Sequence, residues 1–295
     1  MTRPTARDFQ PEVLQLFDRY VHGDLSRRDF IEQASRHAGS SAAAVGLLAA
    51  LSPQFAAATV VPANDPRIVT RQLAFDSPLG NGRVSGLLAR PANAKGRLPV
   101  VLVVHENRGL NPHIEDIARR LAVDGYIAYA PDALAVVGGY PGDEDRAREA
   151  FAKLDQAKAR ADFVAAARAL LTLAEGQGKV GVVGFCYGGG MANYLATQVP
   201  ELAAAVPFYG GQPPAADVAK IRTPLLIHHA AQDERINAGW PAYEAALKAA
   251  GVRFEGHFYA GTEHGFNNDT TPRFDAAAAQ LAWSRTLAFF KAELA

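Results

Sequence analysis

From residue 68 onward the hydrophobic pattern of the chain changes period in a regular order. Ile68 to Phe75 and Arg83 to Ala89 alternate apolar with polar positions, which predicts two strands, and Gly80 to Gly82 supply the hairpin between them. Pro99 to Val104 is an unbroken apolar run, the pattern of a strand buried on both faces of a parallel sheet. Ile114 to Asp124 reads as a helix, Tyr126 to Tyr129 as the next strand, and about Asp143 to Ala174 as one long charged helical region. Val180 to Val183 predicts another buried strand, followed by a helix from Tyr187 to Thr197. Further strands fall at Leu202 to Phe208, Pro224 to His229 and Arg253 to Tyr259, with helices over Ala238 to Ala250 and Phe274 to Ala292. This alternation runs without a break in composition. It predicts an α/β fold over residues 61–295, with a mostly parallel sheet and helices on both faces.

The first sixty residues follow a different pattern and form an N-terminal extension. Val13, Leu14, Leu16, Phe17, Tyr20 and Val21 lie on one helical stripe. Ser26-Arg27-Arg28-Asp29-Phe30-Ile31 resembles a twin-arginine export motif. An alanine-rich stretch from Ala38 to about Leu51 follows, and Ala56 to Ala58 are residues of the size a signal peptidase accepts. Gly46 and Pro53 break the apolar run, so no stable membrane span is expected. Two outcomes follow from these features. In one, the chain is exported to the periplasm and residues 1–58 are removed. In the other, a cytoplasmic protein keeps its helical extension, which packs on the domain or on a partner. Asp29, Glu32 and the depth of the arginine pair run against export.

Composition narrows the chemistry. The 30 basic and 30 acidic residues balance, so no long-range field favours a nucleic-acid partner. A single cysteine excludes an internal disulfide, and the eight histidines show no zinc-site spacing. His228 and His229 are strand neighbours and face opposite ways, which makes them poor co-ligands. No metal and no cofactor are therefore expected, and the partner to look for is a small-molecule substrate.

The lone cysteine sits in Gly184-Phe185-Cys186-Tyr187-Gly188, between a predicted buried strand and a predicted helix. Free cysteines are commonly apolar fillers. Here, though, the pattern is that of a nucleophile elbow with cysteine in the serine position. A side chain held at the tip of so sharp a turn leaves no room for a Cβ two residues away on either side, where Gly184 and Gly188 stand. The free N–H groups and dipole at the helix start favour a thiolate. The N–H of Tyr187 would face a developing oxyanion. A thiol nucleophile needs a base and the base an orienting acid. Asp233 and His264 follow in that order, each just beyond the carboxyl end of a predicted strand, where open α/β sheets place their sites. Glu234 and Glu263 are the rival carboxylates. His257, His228 and His229 read as packing or supporting residues.

These residues resemble those of the dienelactone hydrolases, cysteine hydrolases of the α/β-hydrolase fold related to carboxymethylenebutenolidase. The likeness runs from about Thr70 to the C-terminus. It rests on Val104-His105-Glu106-Asn107-Arg108-Gly109, the cysteine elbow, Gln232-Asp233 and Glu263-His264-Gly265-Phe266. The extension looks like that of a longer bacterial subgroup with the twin-arginine-like segment. The resemblance implies Cys186 as nucleophile, Asp233 as acid and His264 as base. It implies that Glu106 contacts the resting thiol and helps form the thiolate, and that Asn107 gives the second oxyanion N–H through its backbone. It also implies two arginines for a substrate carboxylate. Arg148 fits one, but the other position carries Asn268, with Arg108 as a possible substitute. Loss of one bidentate clamp weakens recognition of a carboxylate. The expected activity is therefore hydrolysis of lactones or activated esters through an acyl-enzyme, with dienelactone itself a doubtful substrate. A broad carboxylesterase or a thioesterase is the alternative, and a non-catalytic binding module on the same fold is the reading from another class.

Overall fold

The apolar stripe of the extension is buried, and it builds a small helical unit of its own. The structure, a computed structural model, describes residues 3–295. Helix α1 (Pro11–His22) starts with proline in its first turn and ends at Gly23, whose φ of 91° only glycine adopts readily. Ser26 caps α2 (Arg27–Ala38) and Ser40 caps α3 (Ser41–Leu51), each through its hydroxyl. Val13, Phe17, Tyr20, Phe30, Ala34, Leu48 and Leu51 of the three helices share one core. Residues Ser41–Ala58 reach a mean hydropathy of 1.4 over 18 residues, enough by composition for a membrane span. The helix, however, stops at Leu51, and a separate short turn, α4 (Phe55–Ala58), follows Pro53. An 11-residue helix covers roughly 17 Å, about half the thickness of a bilayer core.

The extension is tied to the rest of the chain along its length. Arg3 donates to the carbonyls of Asp269 (2.8 Å) and Thr270 (3.0 Å), and Gln54 N–H donates to Thr270 at 2.8 Å. Arg27 pairs with Asp145 at 2.9 Å, Arg273 with Asp18 at 3.1 Å, and Asp116 accepts from the N–H groups of Val60 and Val61.

The sheet carries eight strands: β1 (Ile68–Ser77), β2 (Gly82–Pro91), β3 (Leu98–Val104), β4 (Ile127–Pro131), β5 (Gly176–Phe185), β6 (Ala204–Phe208), β7 (Leu225–Ala230) and β8 (Phe254–Tyr259). Their order is β1-β2-β4-β3-β5-β6-β7-β8, antiparallel at β1/β2 and β2/β4 and parallel elsewhere. The unbroken apolar run of β3 follows from burial on both faces. Val100, Leu102 and Val104 point into one core, Val101 and Val103 into the other. Helices α5 (Pro112–Val123) and α12 (Ala276–Leu294) cover one face. Helices α7 (Gln156–Leu171), α8 (Tyr187–Gln198) and α11 (Trp240–Ala249) cover the other. His228 and His229 do face opposite ways, His228 toward Thr286 and Tyr259, His229 toward Trp240 and Phe258.

The charged region after Asp143 is two helices, α6 (Glu144–Ala152) and α7, because Asp155 turns its carboxylate onto the N–H groups of Ala157 and Lys158 and starts a new helix. The short helices α9 (Ala215–Val218) and α10 (Glu234–Asn237), each one turn long, were below the reach of periodicity.

Candidate active site

The elbow glycines are required by contact. A Cβ on Gly184 would lie 1.9 Å from the Gly188 carbonyl oxygen, and one on Gly188 would lie 2.2 Å from that of Val104. A Cβ on Gly189 would meet the Phe208 carbonyl at 2.3 Å. With these three positions bare, β5 runs straight into α8 and leaves Cys186 on the turn at φ 55°, ψ −112°. A non-glycine residue in such a conformation costs about 1–3 kcal/mol and is held by its surroundings. The cost is met at the turn, where Cys186 N–H donates to the Phe208 carbonyl at 3.1 Å. Among the described residues, no protein acceptor meets the backbone N–H of Tyr187 or of Asn107.

Asp233 and His264 come together beside the thiol as the sequence order predicts. Asp233 begins α10 just past β7, where one carboxylate oxygen accepts from Ile236 N–H at 3.2 Å. The other accepts from His264 Nδ1 at 2.5 Å. Both residues are buried, and His264 Nε2 has no hydrogen-bond partner. Burial pulls the His264 pKa down, but the Cys186 sulfur and the Asp233 carboxylate outweigh it and raise it. Glu234 is exposed, and burial pushes the Glu263 carboxyl up, so neither takes the place of Asp233.

The sulfur itself is a departure from expectation. Its hydrogen-bond partner is His22 Nε2 at 3.4 Å, from the last residue of α1, and not Glu106. Glu106 is held instead by Asn268, whose Nδ2 donates to it at 3.0 Å. Asn268 therefore orients an acid of the site and is no clamp for an anion. The donor atoms of Cys186, His22 and His264 lie within 4.8 Å of one another, near enough to gather on one soft cation. The Arg235 guanidinium, 2.9 Å from His22 Nε2, opposes a positive ion there. Burial pushes the Cys186 thiol up, but the imidazoles of His264 and His22 outweigh it and bring it down to about 5.

The expected substrate arginines also differ. Arg148 stacks on the Tyr20 ring at 4.3 Å and donates to the Tyr20 and Leu25 carbonyls, so the extension takes up its donors. It lines neither cavity at the thiol, and the expectation of a carboxylate clamp there is corrected. Arg108 does border the site, but it donates to the Asn107 and Val21 carbonyls at 3.1 Å each and faces Glu144 at 3.6 Å. Two cavities, of about 330 and 400 Å³, open on either side of Cys186, His22 and His264. The extension supplies much of the wall of the first, including Tyr20, Arg27 and Phe55. Sequence reasoning missed His22 and Asp18. Their only signal was the apolar stripe of α1, which predicts a buried helix and says nothing of what it meets.

A parallel sheet flanked by helices, with a thiol on a strand-to-helix elbow and an Asp–His pair at the neighbouring strand ends, defines an α/β-hydrolase. The dienelactone hydrolase family model matches residues 84–294, and the chain belongs to that family. It hydrolyses esters or lactones as a class. A second model, YqhI-like, matches residues 1–39. A candidate carboxymethylenebutenolidase of Escherichia coli (strain K12) is 32% identical over 261 residues, 83% of this chain and 94% of that protein. A candidate hydrolase fragment of the same organism, YghX, is 53% identical over 112 residues, 38% of this chain and 96% of the fragment. Among solved structures, a candidate dienelactone hydrolase of Klebsiella pneumoniae superposes with a TM-score of 0.67 at 29% identity, over 76% of this chain and 99% of that one.

Proposed function

We propose that the chain hydrolyses uncharged esters or lactones with Cys186 as nucleophile, His264 as proton carrier and Asp233 as the group that orients it. The reading rests on one observation above others: a cysteine held at φ 55° on the elbow, beside a buried His264 whose Nδ1 is fixed 2.5 Å from Asp233. The Asp233 bond leaves Nε2 as the nitrogen that moves protons. The Cys186 thiolate adds to the carbonyl carbon, and the carbonyl electron pair moves onto oxygen. The N–H groups of Tyr187 and Asn107 receive that charge. Collapse breaks the C–O bond, and His264 protonates the departing oxygen. Neutral His264 then draws a proton from water, which attacks the thioester and returns the thiolate.

The preference for an uncharged substrate follows from how the cavity arginines are occupied. Arg27 is paired with Asp145, Arg108 faces Glu144, and Arg273 is paired with Asp18. Glu106 and Asp143 add further negative charge to the same wall. A substrate carboxylate would have to displace one of these pairs. The two cavities suit an ester with its acyl part on one side of the sulfur and its alcohol part on the other.

The test is a panel of uncharged lactones, aryl esters and thioesters, each with a carboxylate-bearing analogue. Uncharged members should turn over at least tenfold faster in kcat/KM, with a product burst that disappears in Cys186→Ala. Unchanged turnover in Cys186→Ala would end the proposal.

A further inference from the structure

The sulfur of Cys186 is served by two Asp–His pairs, and only one of them belongs to the mechanism above. His22 Nε2 lies 3.4 Å from Sγ, while His22 Nδ1 lies 2.7 Å from the Asp18 carbonyl and 3.4 Å from the Asp18 carboxylate. Behind Asp18 stands Arg273 at 3.1 Å, which also covers the Phe17 ring. This repeats the arrangement of His264 on Asp233, from a helix that lies 164 residues before Cys186 in the chain. We infer that His22 is a second catalytic imidazole: it takes the proton of the Cys186 thiol at Nε2 and holds the thiolate, while His264 carries a proton of its own, gives it to the leaving group and regains it from the attacking water.

Two further observations support this division. First, the Asp18 carbonyl and carboxylate fix the proton on Nδ1, so Nε2 is the nitrogen presented to sulfur. Second, the two helix ends are complementary. His22 is the last residue of α1, where the dipole favours a cation, and Cys186 precedes the first turn of α8, where it favours an anion. The groups facing His22 are Asp18 from its own helix, Cys186, the edge of His264 at 4.7 Å between ring centroids, and Arg235. Arg235, 2.9 Å from Nε2, donates there only while the imidazole is neutral, so transfer of the thiol proton to Nε2 requires that guanidinium to turn away. Burial pulls the His22 pKa down, but the Cys186 thiolate and Asp18 outweigh it and lift it to about 10.

The inference rests on Cys186 being the nucleophile, and it carries a consequence for the extension. A chain trimmed near Ala58 would lack His22, so the active enzyme keeps its first helices. The test uses the full chain and the variant H22Q. The rate of Cys186 alkylation by iodoacetamide is followed against pH, beside kcat/KM for p-nitrophenyl acetate. In wild type the alkylation rate should inflect near pH 5, the thiol's lowered value. In H22Q the inflection should rise by about one unit or more. Activity at pH 6 should then fall about twofold or more and recover most of the loss by pH 9. A folded H22Q with an unchanged inflection overturns the inference. If Cys186→Ala is dead at the same time, the nucleophile assignment survives and only the role of His22 fails. A second measurement needs no variant at position 22. In wild-type protein carrying ¹⁵N-histidine, alkylation of Cys186 should convert His22 from imidazolium to neutral imidazole. If His264 alone changes, or neither does, the inference is overturned.

Discussion

Replacing Gly188 with alanine tests whether the elbow is shaped by contact, as the geometry of β5 and α8 requires. The new Cβ would sit 2.2 Å from the Val104 carbonyl oxygen and 2.7 Å from that of His105. Both are backbone atoms of the strand end that carries Glu106 and Asn107, so neither can rotate away. To reach the 3.0 Å below which such contacts are essentially never found, α8 must retreat by about 0.8 Å. Overpacking of this kind costs about 1–3 kcal/mol, and the better helix propensity of alanine returns up to about 1 kcal/mol. At about 2–4 °C per kcal/mol for a domain of this scale, Tm should fall by a few degrees. Function should suffer more. The retreat moves Sγ and the Tyr187 N–H together, and a misplacement of about 1 Å can cost roughly a hundredfold in rate. Gly190→Ala is the stability control, because its nearest contact would be an ordinary 3.4 Å and alanine should leave Tm unchanged or higher. Thermal unfolding and kcat/KM on an activated ester read both effects. A Gly188→Ala protein within 1 °C of wild type in Tm and within about twofold in kcat/KM would refute the contact argument.

Two other outcomes follow. In Asp233→Asn the amide can hold the His264 ring in the wrong tautomer, so kcat should drop by roughly a thousandfold to ten-thousandfold with KM little changed; single-turnover kinetics would reveal a drop under tenfold and so discount the Asp233 role. Phe30→Ala removes a fully buried ring shared by Phe17 and Tyr20. The loss, about 3–5 kcal/mol, falls on the helical unit of residues 11–51. Hydrogen exchange should rise there before it rises in the sheet, and kcat/KM should fall with it. Uniform exchange across the chain would instead mean that the extension and the sheet unfold as one unit.

The sheet was legible because burial on two faces leaves unbroken apolar runs, and all six strands predicted from Pro99 onward fall where β3 to β8 do. Cys186, Asp233 and His264 were legible for a related reason. Each lies just beyond the carboxyl end of a strand, so locating β5, β7 and β8 located the residues as well. Side-chain partners beyond that were not legible. The resemblance assigns Arg148 to a substrate clamp, yet Tyr20 takes it, because a guanidinium binds the nearest aromatic face and carbonyls whatever their place in the sequence. Glu106 sits where a thiol contact is expected, but Asn268 takes its oxygen and His22 takes the sulfur.

The extension gives the sharpest case. Its apolar stripe announces a helix that must be buried, and α1 is buried at Val13, Phe17 and Tyr20. Periodicity fixes which face of a helix is covered, never what covers it. His22 lies one residue before the glycine that ends α1, and nothing local distinguishes it from any polar residue in a last turn. Its meaning comes from three distant anchors: Arg273 on Asp18, Asn107 on the Val21 carbonyl at 2.9 Å, and Arg148 on Tyr20. Asn107 belongs to the loop whose N–H the proposed mechanism assigns to the oxyanion, and Arg273 lies nine residues past His264. The loops that carry the candidate site are therefore the same loops that hold α1. A change that loosens α1 should reach the chemistry through them, even where His22 itself is left intact.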